Sequence, residues 1–143
     1  HMLIKKEFVY EHLEELVKIW LETNIQAHHF IAEQYWKSHI EFVKQALPDA
    51  MIFCYGEQNI KGFLGVYDGF IQGLFVKKEF QRMGIGKALI EEVKQYFDTL
   101  SLCVYAKNSN AVAFYQNIGF VIQKQSIQKE TGEQEYSMIY KAK

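Results

Sequence analysis

Between an apolar run that ends at Val76 and an amphipathic run that begins near Ile85 lies the stretch Gln81-Arg82-Met83-Gly84-Ile85-Gly86-Lys87-Ala88. Gly84 and Gly86 carry no Cβ, so phosphate oxygens can approach the backbone, while the unpaired N–H groups and dipole of a following helix favour negative charge. With Arg82 and Lys87 alongside, the junction reads as an anion cradle. Two common phosphate loops do not fit it. A dinucleotide fingerprint needs glycine where the chain has Leu89, and a Walker loop needs glycine at Gln81 and Ser or Thr at Ala88.

The pattern Gln-x-x-Gly-x-Gly at residues 81–86 resembles the coenzyme A pyrophosphate loop of the GNAT superfamily of N-acetyltransferases, where it lies between the fourth strand and the third helix. A second segment carries the same resemblance. Asn108, Ala111, Phe114, Tyr115, Gly119 and Phe120 match the Asn-x-x-Ala-x-x-Phe-Tyr-x-x-x-Gly-Phe motif that follows the family's fifth strand. Two spaced motifs in the right order are far more specific than either alone.

The resemblance implies an α/β, three-layer GNAT-like fold whose central mixed, mostly antiparallel, twisted sheet splays between strands four and five. The wedge would take the pantetheine arm of acetyl-CoA against the backbone of Leu74 and Val76. Residues 81–88 would hold the pyrophosphate, and Asn108, Ala111 and Phe114 would flank the arm. Tyr115 matches the tyrosine usually proposed to protonate the departing sulfur. It also reads as a core tyrosine beside Phe114.

A lysine-like amine must lose about 3.4 pKa units to be neutral at pH 7, a cost of ~4.6 kcal/mol, so a base or desolvation is required. Many family members place Glu on the fourth strand, whereas Phe70, Ile71, Gln72 and Gly73 offer no carboxylate. His28 is the preferred replacement, since an imidazole with a pKa of about 6.5 is mostly neutral at pH 7. His28 and His29 equally read as helix-end caps. Asp68 reads as a turn residue. His29, Phe30 and Gln72 are candidate acceptor contacts, and Trp36, Tyr35, Tyr67 and Phe70 line a pocket or belong to the core.

The elements that must position these residues follow from periodicity. Residues 3–9 read as a first strand. Leu13, Leu16, Val17, Trp20, Leu21 and Ile25 mark one helix, and Trp36, Ile40, Val43 and Leu47 a second that stops at Pro48. Strands are expected at Met51–Tyr55, 60–67 and Phe70–Val76, with residues 56–59 separating the first two and Asp68-Gly69 a tight hairpin. A helix bearing Ile85, Leu89, Val93, Tyr96 and Phe97 follows, then a strand at 100–105. A short helix ends at Gly119, and strands at 120–127 and 135–140 form a closing hairpin.

The chain of 143 residues, 49% hydrophobic, with formal net charge −1 and pI about 6.6, suits one domain over residues 1–143. Its scattered charge gives no footprint for nucleic acid or an anionic membrane. His1 before Met2 reads as an expression scar. Cys54 and Cys103 have neither metal nor redox spacing, no metal site is expected, and a cysteine-based ping-pong route is poorly supported. The reading is a cytoplasmic monomer or homodimer that transfers acetyl from acetyl-CoA directly to a primary amine, on a small molecule or a protein. The competing reading is an acyl-CoA-binding regulatory module without turnover.

Overall fold

The computed structural model describes residues 2–56 and 58–143; the readings placed on His1 and Glu57 lie outside the described residues. The elements run β1 (Leu3–Ile4), α1 (Lys6–Glu11), α2 (Leu13–Ala27), α3 (Glu33–Lys37), α4 (Ile40–Ala46), β2 (Met51–Tyr55), β3 (Gly62–Tyr67) and β4 (Phe70–Val76). They continue with α5 (Ile85–Val93), β5 (Thr99–Tyr105), α6 (Ser109–Asn117), β6 (Val121–Ile127) and β7 (Gln134–Lys141). The strands form one sheet in the order β1-β2-β3-β4-β5-β7-β6. All neighbours are antiparallel except β4 and β5, which run parallel and share one registered pair, Phe70 with Ser101. The sheet is therefore mixed, mostly antiparallel, and splayed where expected.

Alternation along the strands sends side chains to two helical layers. Phe53, Leu64, Leu100, Leu102 and Val104 pack under α5 and α6, while Ile52, Cys54 and Phe63 pack under α1 and α2. A smaller aromatic cluster joins Trp36 of α3 to Tyr105 of β5. Asp68 and Gly69 both have positive φ, 49° and 81°, as a tight hairpin between β3 and β4 demands.

Three expectations are corrected. Only Leu3 and Ile4 of the first run pair as a strand, and Lys6 opens a helix instead. Helical spacing lets Phe8 stack on His12 at 3.8 Å between ring centroids and buries Val9, whereas a strand would have alternated Lys5 and Glu7 against it. The second stripe divides into α3 and α4. At the break, the Ser38 hydroxyl donates to the Tyr35 carbonyl at 2.7 Å and His39 Nδ1 lies 2.7 Å from the same oxygen, so side chains compete with the helical ladder. The helix expected to bear Tyr96 and Phe97 ends at Val93, so both lie beyond α5; Tyr96 is 46% exposed and packs its ring against Phe53.

Helix α5 lies close to its neighbours because Gly86 has no side chain. A Cβ there would meet the Phe114 ring at 3.2 Å and Leu74 at 3.4 Å. Gly86→Val is expected to overpack this junction and cost about 1–3 kcal/mol. Urea unfolding of both proteins measures it, and an unchanged midpoint would show that α5 tolerates displacement.

Candidate active site

The divergence of β4 from β5 opens a cleft of about 350 Å³, walled by residues 72–76 of β4, 103–105 of β5, the end of α2 and the start of α6. The Lys77 amide donates to the Lys61 carbonyl at 2.9 Å, which makes Gly62 and Val76 a non-hydrogen-bonded pair of the β3–β4 ladder. Val76, and Leu74 two residues earlier, accordingly turn their N–H and C=O away from β3 and into the wedge. An extended amide-bearing ligand finds there an open strand edge, on which the Val76 carbonyl accepts one local bond from Gln81 and keeps a lone pair for a second.

At the far end of β4 the chain turns into α5. Gly84 is its N-cap with φ 81°, and Arg82 also has positive φ, 65°. The first intrahelical bond runs from the Ala88 amide to the Gly84 carbonyl, so the amides of Ile85, Gly86 and Lys87 precede the ladder and have no helical acceptor. Arg82, Met83 and Lys87 are exposed beside them, Ile85 is buried in the core, and Ala88 is half-buried. The two glycines serve different ends. Gly84 has open space around it and is needed for its left-handed backbone, whereas Gly86 is needed for packing. Gln81 lines the cleft and its side-chain amide donates to the Val76 carbonyl at 2.9 Å, capping the strand end.

His28 and Asn108 meet across 80 residues of sequence. The Asn108 side-chain oxygen accepts from the Ala111 amide at 3.3 Å, capping α6, which turns its amide nitrogen toward His28 Nε2, also at 3.3 Å. His28 Nδ1 donates to the Asn24 carbonyl at 2.9 Å. The ring stacks on Trp36 with centroids 5.2 Å apart and meets the edge of Tyr105 at 5.1 Å. Burial lowers the His28 pKa, against a smaller opposing effect of the Asn24 hydrogen bond. The expectation that His28 takes a proton from the acceptor thus meets an obstacle: the lone pair it would use already accepts from Asn108.

Tyr115 is 8% exposed and lines the cleft, and burial pushes its phenol well above the usual range. Ala111 also lines the cleft; Phe114 does not, and instead braces α6 against Gly86 of α5. Of the expected acceptor contacts only Gln72 reaches the wall. His29 is exposed, and Phe30 packs on His28 and Tyr105 outside the lining. Tyr67 and Phe70 are 60% and 40% exposed, whereas Trp36 and Tyr35 do line the cleft.

A sequence profile of the acetyltransferase (GNAT) domain matches residues 10–141. The chain belongs to the GNAT acetyltransferases. It is 38% identical over 122 residues to the peptidyl-lysine N-acetyltransferase YiaC of Escherichia coli, covering 83% of this chain and 84% of that protein. It is 26% identical over 126 residues to the peptidyl-lysine N-acetyltransferase YjaB of the same species, covering 87% and 86%. The solution structure of apo YjaB from E. coli superposes with a TM-score of 0.82 over 99% of this chain and 97% of that one, at 23% identity. The PaiA N-acetyltransferase of Thermoplasma acidophilum, in complex with coenzyme A, gives 0.76 over 96% and 95%, at 22% identity. This GNAT protein is an acetyl-CoA-dependent N-acetyltransferase.

Several residues of the GNAT cleft carry no local sequence signature. Tyr105 donates its hydroxyl to Gln128 Oε1 at 2.7 Å, and the Thr131 hydroxyl donates to the same oxygen at 2.6 Å, which ties the loop between β6 and β7 to the wall. Glu135 of β7 lines the cleft beside them. Trp36 Nε1 is buried without a partner among the described residues. A larger groove of about 510 Å³ between α2 and residues 77–79 is lined mainly by Lys and Glu side chains.

The His28 environment has a pH consequence. A histidine whose folded pKa is depressed binds fewer protons folded than unfolded, so its contribution is complete above about pH 6.5 and is lost as pH falls below that value. Stability should therefore decline on acidification from pH 7, and His28→Gln should flatten part of the slope. Urea titrations across pH 5 to 7.5 measure it; identical slopes would mean the ring charges freely in the folded protein.

Proposed function

We propose that this enzyme transfers acetyl from acetyl-CoA to the side-chain amine of a lysine in a protein or peptide, by direct attack within a ternary complex. The observation that carries the reading is the pair of inward-turned backbones at Leu74 and Val76, continuous with the free amides of Ile85, Gly86 and Lys87. Bound acetyl-CoA supplies the activated thioester. The arm would pair with Leu74 and Val76, its pyrophosphate would meet the helix amides with Arg82 and Lys87, and the second amide hydrogen of Asn108 remains for an arm carbonyl. His28 fixes that amide, which makes it a positioning residue in this reading.

Peptidyl-lysine as acceptor is supported by the activity named for the E. coli relatives. Direct attack is supported by the thiols. Cys54 is buried and pushed up to about 12, with burial the main cause, and Cys103 is also raised, so neither is prepared as an acyl carrier. Both are free thiols, which fits a reducing cytoplasmic setting. No helix among the described residues is long and apolar enough to cross a membrane. Initial velocities with varied acetyl-CoA and lysine peptide should give intersecting lines. Parallel lines would replace direct attack with a covalent route, and binding without amine-dependent thiol release would favour a regulatory module.

Tyr115 is the proposed proton donor to the departing sulfur. Its raised pKa keeps the phenol protonated through the whole working range, so no activity loss from its ionisation is expected near pH 10. Tyr115→Phe should lower turnover about 10²-fold, the lower end for a general acid, with little change in acetyl-CoA affinity. Paired pH–rate profiles and calorimetric titrations check this. Equal turnover would leave Tyr115 as a packing residue, and a large loss of affinity would make it a cofactor contact.

A further inference from the structure

Glu135 stands opposite Tyr105 in the β5–β7 ladder, and cross-strand partners share a face of the sheet. Its carboxylate therefore rises on the side where Tyr105 packs with Trp36. It is half-buried and forms part of the cleft wall. Among the described residues no Lys, Arg or His lies within ion-pair distance of it. The neighbouring acids of the hairpin do have partners: Glu133 pairs with Lys107 at 3.1 Å and Glu130 with His39 at 3.3 Å.

Among the described residues, the rest of the cleft wall contains no Lys, Arg, Asp or second Glu. Its other titratable side chains are driven by burial toward their neutral forms: His28 is lowered, while Tyr35, Cys103, Tyr105 and Tyr115 are raised. Glu135 is left as the one side chain that brings a full charge to an otherwise neutral, aromatic-walled cleft. A cation on an apolar stem matches such a wall, with the charge at the carboxylate and the stem along the exposed rims of the Tyr35, Trp36 and Tyr105 cluster.

We propose that Glu135 is a catalytic residue of this acetyltransferase: it receives the acceptor as a primary ammonium on an alkyl arm and takes the proton that must leave before nitrogen attacks. The assignment rests on the lysine-acceptor reading above. The ammonium passes one proton to the carboxylate and keeps the electron pair. Nitrogen bonds to the thioester carbon, the carbon–sulfur bond breaks, and the second nitrogen proton balances the thiolate by way of the Tyr115 hydroxyl. Glu135 then returns its proton to solvent, so ammonium and thioester become amide, thiol and one free proton.

The test compares wild type, Glu135→Gln and Glu135→Asp on a lysine peptide and on a fluorinated alkylamine that is already neutral at pH 7. Glu135→Gln should lose about 10²-fold in kcat/KM on the peptide, recover part of it as pH rises toward the amine's own pKa, and change little on the neutral amine. Glu135→Asp should restore part of the peptide rate. By calorimetry, the coenzyme A complex of Glu135→Gln should bind the peptide about fivefold more weakly, with coenzyme A affinity unchanged. Equal rates and pH profiles for wild type and Glu135→Gln would overturn the assignment, as would equal losses on both amines. Wild-type protein inactive on every lysine peptide would instead overturn the acceptor reading, and the assignment with it.

Discussion

The site depends on one failure of pairing. Parallel β4 and β5 share a single registered contact, Phe70 with Ser101, and then part. Had the ladder continued, the outward N–H and C=O groups of Leu74 and Val76 would be consumed by β5 and no cleft would exist. The β3–β4 register shifts between Gly65 and Val66, which leaves Gln72 as the extra residue and bends β4 where the separation begins. Beyond that point the two strands are held apart by what packs beneath them. Gly86 brings α5 against Leu74 of β4 and Phe114 of α6, so both helices brace the wedge from one side. An unpaired buried amide costs about 1–3 kcal/mol, so the opening persists only because water or an extended ligand can satisfy it.

How much of this was legible in the sequence depended on whether the signal was local. The cradle at residues 81–88 and the Asn108 to Phe120 segment are contiguous, and their roles in backbone geometry follow from residue type: a left-handed Gly84, an N-capping Asn108, a left-handed Gly119 after α6. Strands β2 and β4 were readable to the residue because turn signals bound them. The first run misled because a short apolar segment flanked by charge has no decisive period, and the Phe8–His12 stack that settles it is a helical contact. The α3–α4 break was hidden because Ser38 and His39 act through side-chain hydrogen bonds to one carbonyl, Tyr35, and not through proline or glycine.

The chemically important contacts that escaped are all long-range. His28 and Asn108 were each visible as candidates, yet nothing in either segment says that one accepts from the other, and that contact changes what His28 has free to offer. β4 carries no carboxylate, and the one in the cleft wall comes from β7. The closing hairpin folds β7 back between β5 and β6, and this order puts Glu135 opposite Tyr105 in the cleft wall. Sequence separation conceals such a residue, since only the strand order brings it to the site.

These placements give the cleft an electrical direction. The α5 amides, their dipole, Arg82 and Lys87 present positive charge beyond the strand end at Val76, whereas Glu135, with no ion-pair partner among the described residues, stands opposite Tyr105 in a wall of neutral side chains. Acetyl-CoA is a polyanion and is drawn to the cradle, whereas an acceptor amine that arrives protonated is a cation and is drawn to the carboxylate. The neutral middle, with Leu74, Val76, Asn108 and Tyr115, is where the two uncharged reacting groups, thioester and free amine, are most stable relative to their ionised forms. Desolvation there favours loss of the ammonium proton, and a carboxylate in the same wall gives that proton a place to go. Groups of opposite charge thus serve two substrates of opposite charge within one cleft. The single-contact splay of β4 and β5 lets one fold present both groups at once.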